Sequence, residues 1–199
     1  MPAPKVHTIE VWAQLFLCDE DCARIGNFFV SEFGVKRSCV VRRMHITVYY
    51  ARRPMLGVMS GSEAVRVVLP TTETRFMVLA PGGENPRPEL DPGNRMVGIR
   101  VHKRSAALST ILEFRDRMLQ QETERVLGTR APSTRKRNAF GGRYYQPHMA
   151  VLRAGSGIDR DLTVVGVPFR AALGDLTFDR FAIDIVRRTA ESASGRKRV

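Results

Sequence analysis

Arg43-Met44-His45-Ile46-Thr47-Val48-Tyr49-Tyr50 and Tyr145-Gln146-Pro147-His148-Met149-Ala150-Val151-Leu152 each set a histidine at the head of a short apolar run. Runs of this kind read as strands, whose side chains alternate between two faces. His45, Thr47 and Tyr49 are therefore expected on one face, with Met44, Ile46 and Val48 packed behind them. By the same parity His148 and Ala150 share a face, opposite Met149 and Val151. Two imidazoles presented alike suit the acid and the base of a phosphoryl-transfer reaction, since free imidazole titrates at about 6.5.

Working outward, the surroundings of the two runs follow one pattern. Residues 6–17 read as a strand. A helix capped by Asp19 or Asp21 follows, carrying Ile25, Phe28, Phe29 and Phe33 at helical spacing and ending at Gly34. The first histidine run is expected as a strand over 40–50, and strands are predicted over 65–69 and 74–79. Pro81, Gly82, Gly83, Pro86, Pro88, Pro92 and Gly93 then crowd one stretch, which marks residues 81–95 as a connecting loop. No Gly-Lys-Ser/Thr follows those glycines, so the loop is not a P-loop.

Beyond it the pattern restarts. Residues 96–101 read as a strand. A helix beginning at Ser105 carries Leu108, Ile111, Leu112, Met118, Leu119 and Val126 as an apolar stripe and stops at Gly128. The second histidine run follows, and strands are expected over 169–173 and 178–186. His45 lies 31 positions before Phe76, and His148 lies 33 before Phe181. The expected fold class is α+β: two pseudo-symmetric lobes, each an antiparallel sheet with a helix packed outside, flanking a central cleft. A single domain over 1–190 would then divide into lobe one at about 1–80, the connecting loop and lobe two at about 96–190, with a basic flexible tail at 191–199.

Composition narrows the function. The 199 residues suffice for a full core, and 43% hydrophobic content is that of a globular chain. No apolar run approaches the ~20 residues that span a bilayer. The start, Met1-Pro2-Ala3-Pro4-Lys5, lacks the apolar centre of a signal peptide, so a cytoplasmic location and no membrane partner are expected. Cys18, Cys22 and Cys39 read as free thiols rather than a disulfide framework or, with His45, a metal site. The net charge of +12 favours anionic partners. Arg130, Arg135, Lys136, Arg137 and Arg143 lead into the second histidine run with no acid between Gly128 and Gln146.

With these residues in view, the chain resembles the 2H phosphoesterase superfamily, named for its two His-x-Thr/Ser motifs. That superfamily includes RNA 2',3'-cyclic phosphodiesterases, 2'-5' RNA ligase-like proteins of the LigT type, and enzymes that cleave 2'-5' or cyclic oligonucleotides. The likeness spans nearly the whole chain in layout and is specific at the motifs. His45-Ile46-Thr47-Val48 fits the first, and Tyr145-Gln146-Pro147-His148 fits the lead-in of the second. Ala150 departs from it, since the family carries Thr or Ser there.

The resemblance implies a metal-independent phosphodiesterase with no cofactor, acting as a monomer on RNA or nucleotide phosphodiesters. One of His45 and His148 would take a proton from water and the other give one to the leaving ribose oxygen. The Thr47 hydroxyl would hold a non-bridging phosphate oxygen. Arg143 is the candidate to replace the hydroxyl lost at Ala150, and Tyr49 and Tyr145 are candidate substrate contacts, by stacking on a base or closing the cleft. The alternative is a non-catalytic RNA- or nucleotide-binding protein of the same fold, weakened by Ala150. A basic nucleic-acid-binding protein of unrelated type has no recognisable motif to support it.

Overall fold

A computed structural model describes residues 7–52, 54–55, 57–79, 95–126 and 145–189. Seven strands and three helices make up the described part: β1 (His7–Leu17), α1 (Asp19–Phe33), β2 (His45–Ala51), β3 (Gly61–Pro70), β4 (Thr74–Leu79), β5 (Met96–Val101), α2 (Ala106–Val126), β6 (His148–Leu152), α3 (Thr163–Leu173) and β7 (Asp175–Thr189). The fold is α+β with two antiparallel sheets, ordered β2-β1-β7-β3 and β4-β5-β6.

The sheets do not follow the division expected at 81–95. β4, from the first half, pairs with β5, while β7, from the second, pairs with β1. Each half thus lends its last strand to the other half's sheet. The helices cross over in the same way. On α1, Phe29 meets Phe76 of β4 edge to face, with ring centroids 6.1 Å apart. On α2, Phe114 stacks on Phe181 of β7 at 4.8 Å.

Local chemistry accounts for most boundaries. Gly34 closes α1 in the left-handed conformation (φ 62°), and its N–H bonds the Phe29 carbonyl. Cys18 rather than an aspartate occupies the N-cap position of α1. Asp21 is buried instead, where it accepts from the Arg24 guanidinium and from the backbone N–H of Thr177. Ser105 caps α2 by accepting from the Ala107 N–H, and its hydroxyl donates to Glu73 at 2.6 Å.

Two expected strands are corrected. The first histidine strand begins at His45, not at residue 40; residues 37–39 form a 3-10 turn, and Val40 makes only an isolated bridge to Leu152. The strand expected over 169–173 is the end of α3. Val165, Phe169 and Leu173 recur every four residues and are buried, and Phe169 meets Phe28 of α1 and Phe76 of β4 at 5.4 and 4.9 Å. Aromatic pairs of this kind contribute about 0.5–1.5 kcal/mol beyond their burial, and burial of Val165, Phe169 and Leu173 adds about 1.5–3 kcal/mol each; together these offset the poor helix propensity of Val164, Val165, Gly166, Val167 and Pro168.

Candidate active site

His45 opens β2 and His148 opens β6, as the sequence predicts. Their settings match in detail. His45 pairs across the ladder with Phe16, the next-to-last residue of β1, and His148 with Arg100, the next-to-last residue of β5. In each pair of strands one residue is skipped in the register: Val48 in β2 and Val151 in β6. Both stand three positions after the histidine, so a β-bulge occurs at the same place in both motifs.

The ring orientations match as well. His45 Nδ1 lies 3.1 Å from the carbonyl oxygen of Arg43, and His148 Nδ1 lies 2.9 Å from that of Gln146. A carbonyl only accepts, so each Nδ1 carries the hydrogen and donates it two residues back. That leaves Nε2 of the neutral ring as a bare acceptor, or as a donor once protonated.

Several contacts bring the two motifs together. β2 and β6 lie side by side, and the hydroxyl of Tyr145 donates to the Thr47 carbonyl at 2.8 Å. Segment 39–41 hydrogen-bonds to the end of β6, through Val41 N–H to the Val151 carbonyl at 3.0 Å and Arg153 N–H to the Cys39 carbonyl at 2.6 Å. Burial pulls the His45 pKa below its ordinary value; the guanidinium of Arg43 and the charge on His148 add to this, and the bond to the Arg43 carbonyl opposes it. Burial pushes the Tyr145 phenol above its usual range, so it stays a donor.

The bulge corrects one expected residue. Thr47 pairs with Gln14, but the next pair is Tyr49 with Ala13, so Tyr49 turns to the core side with Ile46 and is 0% exposed. It shares no face with His45. Tyr50 takes that place, opposite Trp12, with the two ring centroids 4.1 Å apart. Glu10, 7% exposed, accepts from the Trp12 indole N–H at 3.3 Å and from the Tyr50 hydroxyl at 3.0 Å. Arg52 Nε donates to the same hydroxyl at 2.7 Å.

Reading β1 for parity finds what the motifs alone miss. Val11, Ala13, Leu15 and Leu17 are buried on one side, while Glu10, Trp12, Gln14 and Phe16 lie on the His45 side. The Phe16 ring is 5.4 Å from the His45 ring. Thr47 is half-buried beside Gln14, and Ala150 is half-buried opposite Gly98. Arg143 lies outside the described residues, as do the connecting loop apart from residue 95, the basic stretch before residue 145 and the tail. His102 accepts from the Arg104 N–H ahead of α2, a local turn contact. All three cysteines are free thiols, and among the described residues no cluster of His, Cys, Asp and Glu could hold a metal ion. No described helix is long and apolar enough to cross a membrane.

Compared with known proteins, the chain matched no family model, no curated protein and no solved structure.

Proposed function

We propose that this chain is a metal-independent phosphodiesterase of the 2H type, hydrolysing RNA or nucleotide phosphodiesters (a 2',3'-cyclic phosphate, a 2'-5' linkage or a cyclic oligonucleotide). The observation that carries this reading is the matched pair of histidines. Each opens a strand, each donates Nδ1–H to the carbonyl two residues back, and each precedes a bulge by three residues. Such duplication fits a site in which one phosphate meets two Nε2 atoms from opposite sides. In this reading the histidine faces of the two sheets flank the cleft that receives it.

The chemistry follows from the ring orientations. His45, whose environment disfavours the imidazolium, serves as the base: its Nε2 takes a proton from water as the water oxygen bonds to phosphorus. His148, protonated at Nε2, gives that proton to the ribose oxygen as its bond to phosphorus breaks. The Thr47 hydroxyl donates to a non-bridging oxygen as charge builds there. Trp12 and Tyr50 offer an aromatic surface on the His45 side of β1 and β2, suited to stacking on a base.

A second reading, a binding protein of the same fold without turnover, is favoured by one observation: Ala150 has no hydroxyl to match that of Thr47. Incubation with nucleoside 2',3'-cyclic phosphates, 2'-5'-linked oligonucleotides and cyclic dinucleotides, with EDTA present, separates the two. Hydrolysis that persists under chelation is expected. Saturable binding with no product from any of these substrates would transfer the assignment to the second reading.

A further inference from the structure

Phe16 gathers two guanidinium groups and the His45 imidazole around one ring. Besides His45, the guanidinium of Arg180 lies over it at 4.4 Å from the centroid and that of Arg43 at 5.2 Å. Arg180 comes from β7, whose register sets it directly opposite Phe16, so His45, Phe16 and Arg180 form one row across β2, β1 and β7. Among the described residues no carboxylate lies within ion-pair distance of either guanidinium. Asp19, Glu63 and Asp179 line a groove of about 350 Å³ that Arg180 also borders. None of the three closes onto Arg180, whose guanidinium lies over Phe16, on the histidine side.

Two guanidinium groups held over one apolar ring repel one another. The arrangement is favourable once an anion enters. The planar fork of arginine matches two phosphate oxygens at once, while stacking on Phe16 fixes its plane beforehand. The phosphate between the two histidines is one such anion, but Arg180 is a full strand further from β2 than Phe16 is.

We propose that Arg180 and Arg43, spread over Phe16, form a second anion subsite that takes a phosphate of the substrate other than the one being cleaved. This deepens the phosphodiesterase reading and rests on it for the identity of the substrate: a nucleotide with at least two phosphates, rather than a bare nucleoside cyclic phosphate. The second phosphate is either an internucleotide diester or a 5'-monoester.

The test compares three substrates ending in a 2',3'-cyclic phosphate: a nucleoside (N>p), its 5'-phosphate (pN>p) and a dinucleotide (NpN>p). The wild-type protein should prefer one or both of the two-phosphate substrates in kcat/KM. Arg180→Gln should lower that preference roughly ten-fold or more, the scale of one charge-assisted contact, mainly through KM, and Arg180→Lys should restore part of it. Preference for NpN>p alone identifies a diester, and preference for pN>p as well identifies any phosphate. Equal kcat/KM for all three substrates, or a preference untouched by Arg180→Gln, would overturn the subsite. Equilibrium binding of the ring-opened products Np and NpNp, each tested as its 2'- and 3'-phosphate isomer, decides the question without turnover. Tighter binding of NpNp that depends on Arg180 supports the subsite even if nothing is cleaved, an outcome that defeats only the enzyme reading. Equal binding of the two by wild-type and variant defeats the subsite.

Discussion

Tyr145 donates its hydroxyl to the Thr47 carbonyl at 2.8 Å, so the residue three before one histidine is tied to the residue two after the other. The bond joins β2 to the segment that leads into β6 of the other sheet, and burial keeps the phenol protonated to make it. Arg115 lies over the same ring at 4.9 Å.

Tyr145→Phe keeps the ring and deletes the donor. Stability should fall by about 1–2 kcal/mol, the cost of leaving a partly buried carbonyl short of a partner. Cleavage should fall further than the change in folded fraction explains, because the spacing of the two histidines loosens. Denaturant melts alongside single-turnover rates check this. A rate loss no larger than the loss of folded protein would make the bond structural only.

Substitution of the histidines should cost more activity than substitution of Thr47. His45→Gln and His148→Gln each remove the Nε2 that handles a proton, and each should lower kcat by about 10²–10⁴-fold with the fold retained. Thr47→Ala should cost less, since the phosphate oxygen keeps its other donors. Circular dichroism verifies folding, and product formation under EDTA gives the rate. Near wild-type turnover in either histidine variant would remove that residue from the mechanism.

The lowered pKa of His45 fixes the sign of two pH effects. Activity that needs the neutral ring should rise through an acid limb lying below pH 6.5, and His45→Gln should abolish that limb along with the activity. Stability moves the same way. The unfolded chain regains the ordinary pKa of about 6.5, so it binds more protons than the folded chain between the two values. His45's contribution is therefore present above about pH 6.5 and lost as pH falls through the lowered value. Urea melts from pH 7.5 to 5 should show a steeper decline for the wild-type protein than for His45→Gln.

How much of this was legible follows from which interactions are local. β4 and β5 have their predicted bounds because their residues and flanking turns are sufficient, and the end of α1 was written in Gly34. α3 was not legible: Val164, Val167 and Pro168 argue for an extended chain, and only contact with Phe28 and Phe76 selects the helix. The exchange of β4 and β7 between sheets is a long-range choice that no window of sequence contains. At the site, strand parity placed His45, Thr47, His148 and Ala150 on their faces, then failed one residue past Val48. Counting in twos cannot anticipate an inserted residue, so it points to Tyr49 where the bulge presents Tyr50.

Gly98 stands opposite Ala150 in the ladder. A Cβ there would run into the Leu79 side chain, and would come within 3.0 Å of the Met149 carbonyl next to His148. Because the second obstacle is backbone, Gly98→Ala should shift β6 rather than be absorbed by a rotamer. Overpacking of this kind costs about 1–3 kcal/mol. Turnover should drop as His148 moves with its strand, whereas an equivalent clash far from the site would lower stability alone. Thermal melts and kcat, measured together, distinguish the two.

Ala150 itself gives the last prediction. It occupies the place in β6 that Thr47 holds in β2: two after the histidine, one before the bulge, half-buried on the histidine's face. If the phosphate is held symmetrically, a hydroxyl is missing from one side. One such donor is worth about 10²–10³ in rate. Ala150→Thr should therefore raise kcat substantially, while Ala150→Val, of the same shape but without the hydroxyl, should not. The pair separates a hydrogen bond from simple filling of space. Arg143 supplies the counter-experiment. If Ala150→Thr brings no gain and Arg143→Ala costs more activity than Thr47→Ala, the guanidinium already occupies the role and the site is complete as it stands. A rate unmoved by all of these substitutions would mean that the phosphate lies away from the His148 strand.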